Sequence, residues 1–258
     1  MKASIITVVL NNKLYIEDCI QSVLNQSYEE IEYIVIDGGS TDGTIEIIKK
    51  YGSKISRWVS KPDTGIYDAM NKGIQLATGE IIGFLNSDDI YAEGGIIGSI
   101  VACFAESAAD TCYGDLVYVN CENTEKQVRY WRSGTFNKDK FRRGWMPPHP
   151  TFFVRRHVYE KCGSFDLNFP LAADYELMLR FLYKYEITTT YIPKVLVKMR
   201  TGGRSSPGLL NTAKAVFENY EAWKINDLPL NPMTFILKPF SKLRQLNKLP
   251  PSRTSKHN

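Results

Sequence analysis

Strand and helix patterns alternate through the first hundred residues, and this alternation restricts the fold more than any other feature. Residues 4–10 form a continuous apolar run of strand length. Residues 15–26 then place Ile16, Cys19, Ile20, Val23 and Leu24 at helical spacing. A second short apolar strand at 33–36 stops at a loop rich in turn residues, 37–43. Helix 44–51, strand 55–59, helix 65–77 and strand 81–85 follow in order. Such alternation predicts an α/β fold with parallel strands and helices on both faces. In sheets of that kind ligands bind at the carboxyl ends of the strands. Two acidic loops, 37–43 and 86–89, stand at such ends.

The second half is less regular. Residues 111–119 and 127–131 read as a strand hairpin, 151–154 as a short strand and 188–197 as another. Residues 173–185 and 209–224 carry helical periodicity. Neither an internal repeat nor a low-complexity block occurs.

Composition removes several classes. No run approaches the ~20 apolar residues that span a bilayer. The apolar N-terminal stretch is short, ends in Asn11 and Asn12, and lacks a small-residue cleavage site, so it reads as a buried strand. Five cysteines without a CxxC pair support neither a zinc site nor a disulfide framework and suit a reduced, cytoplasmic protein. The net charge is +4, but six of the 32 Lys and Arg residues follow Asp227, the last acid. The remaining 26 face 28 Asp and Glu, so residues 1–227 carry about −2. A body of that charge does not suit a nucleic-acid binder.

Four stretches carry candidate chemistry. Asn86-Ser87-Asp88-Asp89 leaves an apolar strand, and adjacent acids there either hold a hard divalent cation that bridges phosphates or start the next helix. Asp37 ends a strand before Gly38 and Gly39; either the backbone approaches a phosphorylated or flat ligand there, or Ser40 or Asp42 caps a helix. Residues 61–73 place Asp68 and Asn71 on one helical face, where capping is the alternative to ligand binding. Asp174 opens an apolar helix and becomes a general base only if the fold brings it over the other acids.

Together, and in this order along the chain, residues 36–44, 65–73, 84–89 and 173–177 resemble the family 2 glycosyltransferases of the GT-A fold, in particular the bacterial surface-polysaccharide type. The resemblance covers about residues 3–205. It implies a Rossmann-like, mostly parallel sheet flanked by helices, a nucleotide-sugar donor, a divalent metal (Mn²⁺ or Mg²⁺) and inversion at the anomeric carbon. By the same resemblance Asp37 holds the nucleoside, Asp68 lines the nucleotide pocket, Asn86 and Asp88 match the Asp-x-Asp motif with Asp88 as metal ligand, and Asp174 is the general base. Asn86 stands where the motif has its first Asp, and Ala173 where a Glu often precedes the base. Those two departures keep open a catalytically silent nucleotide-sugar binder on the same fold. The Gln-x-x-Arg-Trp signature of processive synthases is missing, so a single-addition transferase is expected, acting on a glycan or lipid-linked acceptor. A sugar-phosphate nucleotidyltransferase is disfavoured because its glycine-rich N-terminal loop is missing.

The expected division is a transferase domain at 1–205 and a helical, basic C-terminal extension at 206–258. Within it Met233, Ile236, Leu237, Phe240, Leu243 and Leu246 alternate with basic residues, although Pro239 interrupts the pattern. Residues 228–258 are therefore a peripheral contact with the inner face of a membrane, a helix packed on the body, or a mostly disordered end. His149 is expected to be packed, the alternative being contact with acceptor or diphosphate, and Arg200 and Arg204 to be solvated, the alternative being a loop that orders over the donor.

Overall fold

Every residue of the first strand is buried, which requires covering elements on both of its faces. The computed structural model describes residues 1–202 and 209–229 and places this strand, β1 (Ala3–Val9), inside a parallel half-sheet. It is followed by α1 (Ile16–Leu24), β2 (Ile31–Asp37), α2 (Thr44–Lys50), β3 (Arg57–Ser60), α3 (Ile66–Leu76) and β4 (Ile81–Phe84). β1 pairs in parallel with β2 and β4, and β2 pairs in parallel with β3.

Then come β5 (Ile90–Tyr91), α4 (Ile96–Glu106), β6 (Thr111–Val119), β7 (Gln127–Trp131), β8 (Phe153–Arg155), α5 (Arg156–Cys162), α6 (Ala173–Met178), β9 (Thr189–Arg200) and α7 (Leu209–Ile225). The sheet runs β3-β2-β1-β4-β8-β6-β9-β5, with β7 paired to β6 as the expected hairpin. Beyond β4 the sheet is mixed: β8 is antiparallel to both β4 and β6, while β9 is parallel to β6.

Successive strand residues point to opposite faces and so build two cores. Ile6, Ile34 and Ile82 pack with α3, α5, α6 and α7. Ile5, Val35 and Ile81 pack with α1, α2 and α4. Each such aliphatic contributes about 1.5–3 kcal/mol by leaving water. α3 comes close to β1 because position 73 is glycine; a Cβ there would lie 2.5 Å from Ile6 Cγ2.

Several elements differ from the sequence reading. Asp88-Asp89 does not start a helix; β5 follows and pairs antiparallel with β9. Two residues are too few to show a period. The helix expected at 173–185 is α-helical only as far as Met178 and then widens into a π-helical segment, Leu179–Lys184. Arg180 within it donates to Glu176 and to the Ser164 carbonyl. α7 is anchored on α6 through buried Trp223, whose Nε1 donates to Tyr175 Oη at 2.8 Å. Arg204 and the amphipathic stretch 233–246 lie outside the described residues. Among the described residues, no helix is long and apolar enough to cross a membrane.

Glu32 fastens the amino end of the sheet. It accepts from Ser4 Oγ at 2.6 Å, from the Thr78 N–H at 2.7 Å and from Thr78 Oγ1 at 2.8 Å, with Lys2 Nζ at 3.3 Å. Burial alone would raise its carboxyl, but these donors outweigh it and hold the group at about 2, below its ordinary 4.5. A depressed value means that the stabilisation is complete above the unfolded value of 4.5 and disappears as pH falls towards 2. Glu32→Gln should cost about 2–3 kcal/mol at pH 7. Urea titrations should show the gap from the parent chain closing as the pH is lowered through that window.

Candidate active site

A cleft of about 570 Å³ opens at the carboxyl ends of β1 and β4. Its wall includes Asn11, Asn12, Leu14, Tyr15, Asp63, Ile66, Asn86, Ser87 and Asp88. Position follows from topology, because parallel strands deliver their loops to one edge.

Asp37 ends β2 with no exposure to water. Its Oδ2 accepts the N–H groups of Gly39 and Ser40, each at 3.0 Å, and the Ser60 hydroxyl at 2.6 Å. Its Oδ1 accepts the Ser40 hydroxyl. A buried carboxylate must be satisfied in this way, and here its own loop and Ser60 at the end of β3 satisfy it. Ser40 Oγ also accepts the Asn11 N–H at 2.7 Å. Asn11 adopts a left-handed backbone (φ 50°), which its short polar side chain tolerates, and its Oδ1 accepts the Thr41 N–H at 2.7 Å. Asn12 donates its N–H to Thr44 Oγ1 at 2.9 Å and its Nδ2 to Ser87 Oγ at 2.8 Å. Asn11 and Asn12 therefore bind the loops after β2 and β4 together. Asp42 caps α2, accepting the Thr44 N–H at 3.0 Å.

The loop after β4 presents Asp88 to the cleft. Burial raises the Asp88 carboxyl above its ordinary value. Asp89 behind it is fully buried, and burial first, then the Asp88 charge, push it up much further. Asn86 Nδ2 donates to Asp89 Oδ2 at 3.2 Å. Asn86 Oδ1 is buried without a partner among the described residues. A carboxylate and an orphaned amide oxygen are hard donors. They fit Mg²⁺ or Mn²⁺, which keep waters and take phosphate oxygens for the rest of their shell. Among the described residues, no group of three or more His, Cys, Asp or Glu converges as a metal cage.

Arg200 is the residue that sequence reading misplaced. It is buried, not solvated, at the end of β9. Its Nη1 donates to the Asp88 carbonyl at 2.8 Å and its Nε to the Cys121 carbonyl at 3.3 Å, while Nη2 pairs with Asp18. Its guanidinium also lies over the Tyr15 ring, 4.8 Å from the centroid. A planar fork suits several acceptors at once. No local pattern marks it, because its partners lie at 18, 88 and 121.

Asp68 and Asp174 stand outside the cleft wall, as Asp37 does. Asp68, in the first turn of α3, accepts the Thr64 N–H at 3.0 Å from the turn before the helix and pairs with Lys72 at 3.0 Å. Asp174 Oδ1 accepts Tyr67 Oη at 3.1 Å and the Tyr175 N–H at 2.9 Å. Tyr67 stacks on Phe165, which packs against Phe84 and His149. His149 is packed, as expected; burial lowers its ring against the opposing pull of Asp174. Asp63, which the sequence places in the turn before α3, and Tyr67, which it does not single out, belong to the same region as the motif residues.

A model described as Glycosyl transferase family 2 matches residues 4–163. A PGL/p-HBAD biosynthesis glycosyltransferase of Mycobacterium bovis is 30% identical over 215 residues, covering 81% of this chain and 79% of the relative. The chain belongs to glycosyl transferase family 2. It is a glycosyltransferase with the GT-A fold. An uncharacterized glycosyltransferase of Rickettsia typhi is 30% identical over 230 residues, 85% of this chain and 69% of that one. Staphylococcus aureus TarS 1-349, solved in complex with UDP-GlcNAc, superposes with a TM-score of 0.70 at 20% identity, covering 93% of this chain and 72% of TarS 1-349. The mannosyltransferase PcManGT of Pyrobaculum calidifontis, solved with GDP-Man and Mn²⁺, gives 0.62 at 16% identity, covering 93% and 68%.

Arg200→Met would leave two carbonyls without their donor. It should destabilise the chain by about 1–3 kcal/mol in chemical denaturation.

Proposed function

We propose that this glycosyltransferase moves a sugar from a nucleotide-sugar donor to an acceptor hydroxyl with inversion, using a divalent metal. The observation that carries the reading is the cleft itself, with Asp88 at the end of β4 and the loops of β1 and β2 closing around it. Its volume of about 570 Å³ suits a ligand of nucleotide-sugar size. Family membership and the nucleotide sugars held by TarS and PcManGT support the same reading.

Asp88 and Asn86 Oδ1 would hold the metal, which neutralises charge on the departing diphosphate when bound. Asp37 acts on the donor through the loop that it shapes, and Asp68 through the turn into α3 that it holds. Asp174 is the general base. With Oδ1 occupied by Tyr67 and Tyr175, Oδ2 can take the acceptor proton. The acceptor oxygen bonds to the anomeric carbon as the bond from that carbon to the diphosphate breaks on the opposite face. The acceptor would be a glycan or lipid-linked hydroxyl in polysaccharide biosynthesis. Residues 228–258 would bring the otherwise cytoplasmic enzyme to the membrane surface.

A silent sugar-nucleotide binder is the second reading, favoured by Asn86 in the metal motif. Donor turnover by the purified chain excludes it. Asp174→Asn should lower kcat about 10²–10⁴-fold while donor affinity holds. Near-normal transfer by that variant would remove Asp174 from the role. Asp88→Ala should abolish the Mn²⁺-dependent part of donor binding in calorimetry; equal affinities with and without Mn²⁺ in the parent chain would count against a metal.

A further inference from the structure

Asp174 sits on a segment with little local support. α6 is six residues long, and helices that short do not hold themselves in water. Ala172, at its amino end, has no side-chain group to cap it. The support comes from α7, which lies wholly beyond the residues matched by the family model. Glu218 Oε2 accepts the Leu171 N–H at 2.8 Å, three residues before Asp174. Trp223 Nε1 donates at 2.8 Å to Tyr175 Oη, one residue after Asp174. Asn226, next to the end of α7, donates its Nδ2 at 3.0 Å to Glu176 Oε1, two residues after Asp174. Glu218, Ala222 and Asn226 are all buried and recur at four-residue spacing, so a single face of the helix meets the segment.

Glu218 does more than accept one N–H. It is 6% exposed, and its Oε1 is buried without a partner among the described residues. An uncompensated carboxylate oxygen is unfavourable inside a protein, and an amide would serve the Leu171 N–H without that penalty. The charge has a neighbour that uses it, Tyr67, whose hydroxyl donates to Asp174 Oδ1 at 3.1 Å. Burial first, then the Asp174 charge and more weakly the Glu218 charge hold the Tyr67 phenol well above its ordinary value. Tyr67 therefore remains a donor, Oδ1 stays occupied, and Oδ2 is the oxygen left for a proton.

We propose that α7 completes the catalytic site, with Glu218 as the positioning residue that holds the turn carrying Asp174. Glu218 acts at both supports of the base, the Leu171 N–H before it and the Tyr67 hydroxyl against it. The assignment rests on the reading of Asp174 as general base. It extends the catalytic unit beyond the span 1–205 that carries the sequence motifs.

Release of nucleotide from UDP-GlcNAc, UDP-glucose and GDP-mannose by the full chain in Mn²⁺, with water as acceptor, tests it on the donor that the parent turns over fastest. Glu218→Ala should lower kcat about 10–100-fold, with KM for that donor and the stoichiometry of nucleotide binding in calorimetry unchanged. Glu218→Gln keeps an acceptor for the Leu171 N–H and removes only the charge. It should fold as the parent does and recover part of that loss, and it serves if Glu218→Ala does not fold. The deciding measurement is a double-mutant cycle with Asp174→Asn. In that background neither Glu218 change should lower kcat by more than about twofold, because the group that Glu218 positions is gone. An equal loss in both backgrounds, or folded Glu218 variants with the kcat of the parent, would overturn the assignment and leave the transferase reading standing. Near-normal kcat for Asp174→Asn alone would overturn the base reading and the assignment with it. A parent chain that turns over none of the donors would overturn the transferase reading as well.

Discussion

A carboxylate shut away from water must have its lone pairs filled, and at Asp37 the following loop does the filling together with Ser60 of β3. The cleft depends on that condition. Ser40, held by Asp37, fixes the Asn11 N–H, and Asn11 in its left-handed conformation fixes Thr41. Asn12, next in the chain, reaches both Thr44 and Ser87. One buried charge therefore sets the loop after β2, and two asparagines pass that geometry to the loop that presents Asp88. Replacing the charge would leave this network of buried donors without its common acceptor.

The sheet's first half was readable because it is periodic. Apolar runs of strand length and helical repeats of Ile and Val place β1 to β4 and α1 to α3 within a few residues of where they form. The acidic loops were readable because parallel strands deliver them to one edge. What escaped has physical causes. β5 is two residues long and exists only because β9 pairs with it. The widening after Met178 depends on Arg180 and the partners it meets in three dimensions. The partners of Asp37, the N–H groups of Gly39 and Ser40 and the hydroxyls of Ser40 and Ser60, become visible only in the folded chain. Asp63 looked like a turn residue and stands in the cleft wall.

The acid at the far side is supported differently. Asp174 opens a six-residue helix, and its orientation comes from Tyr67, 107 positions earlier. Tyr67 is fixed in turn by the stack that it forms with Phe165. α3 consequently serves both regions: Ile66 and Ala69 line the cleft, while Tyr67 between them meets Asp174. A displacement of this helix along its axis would disturb the cleft wall and the Asp174 contact together.

Arg200 has a consequence for how the chain can be divided. The family model matches only as far as 163, yet the carbonyl of Asp88 is held by a side chain 112 residues further on. A fragment ending at 163 would also lack β9, the long parallel partner of β6. The amino-terminal half, although it carries the familiar motifs, is therefore not an autonomous module. During synthesis the cleft would be finished only when its last strand has emerged from the ribosome, so that its assembly is a late event of folding rather than its seed.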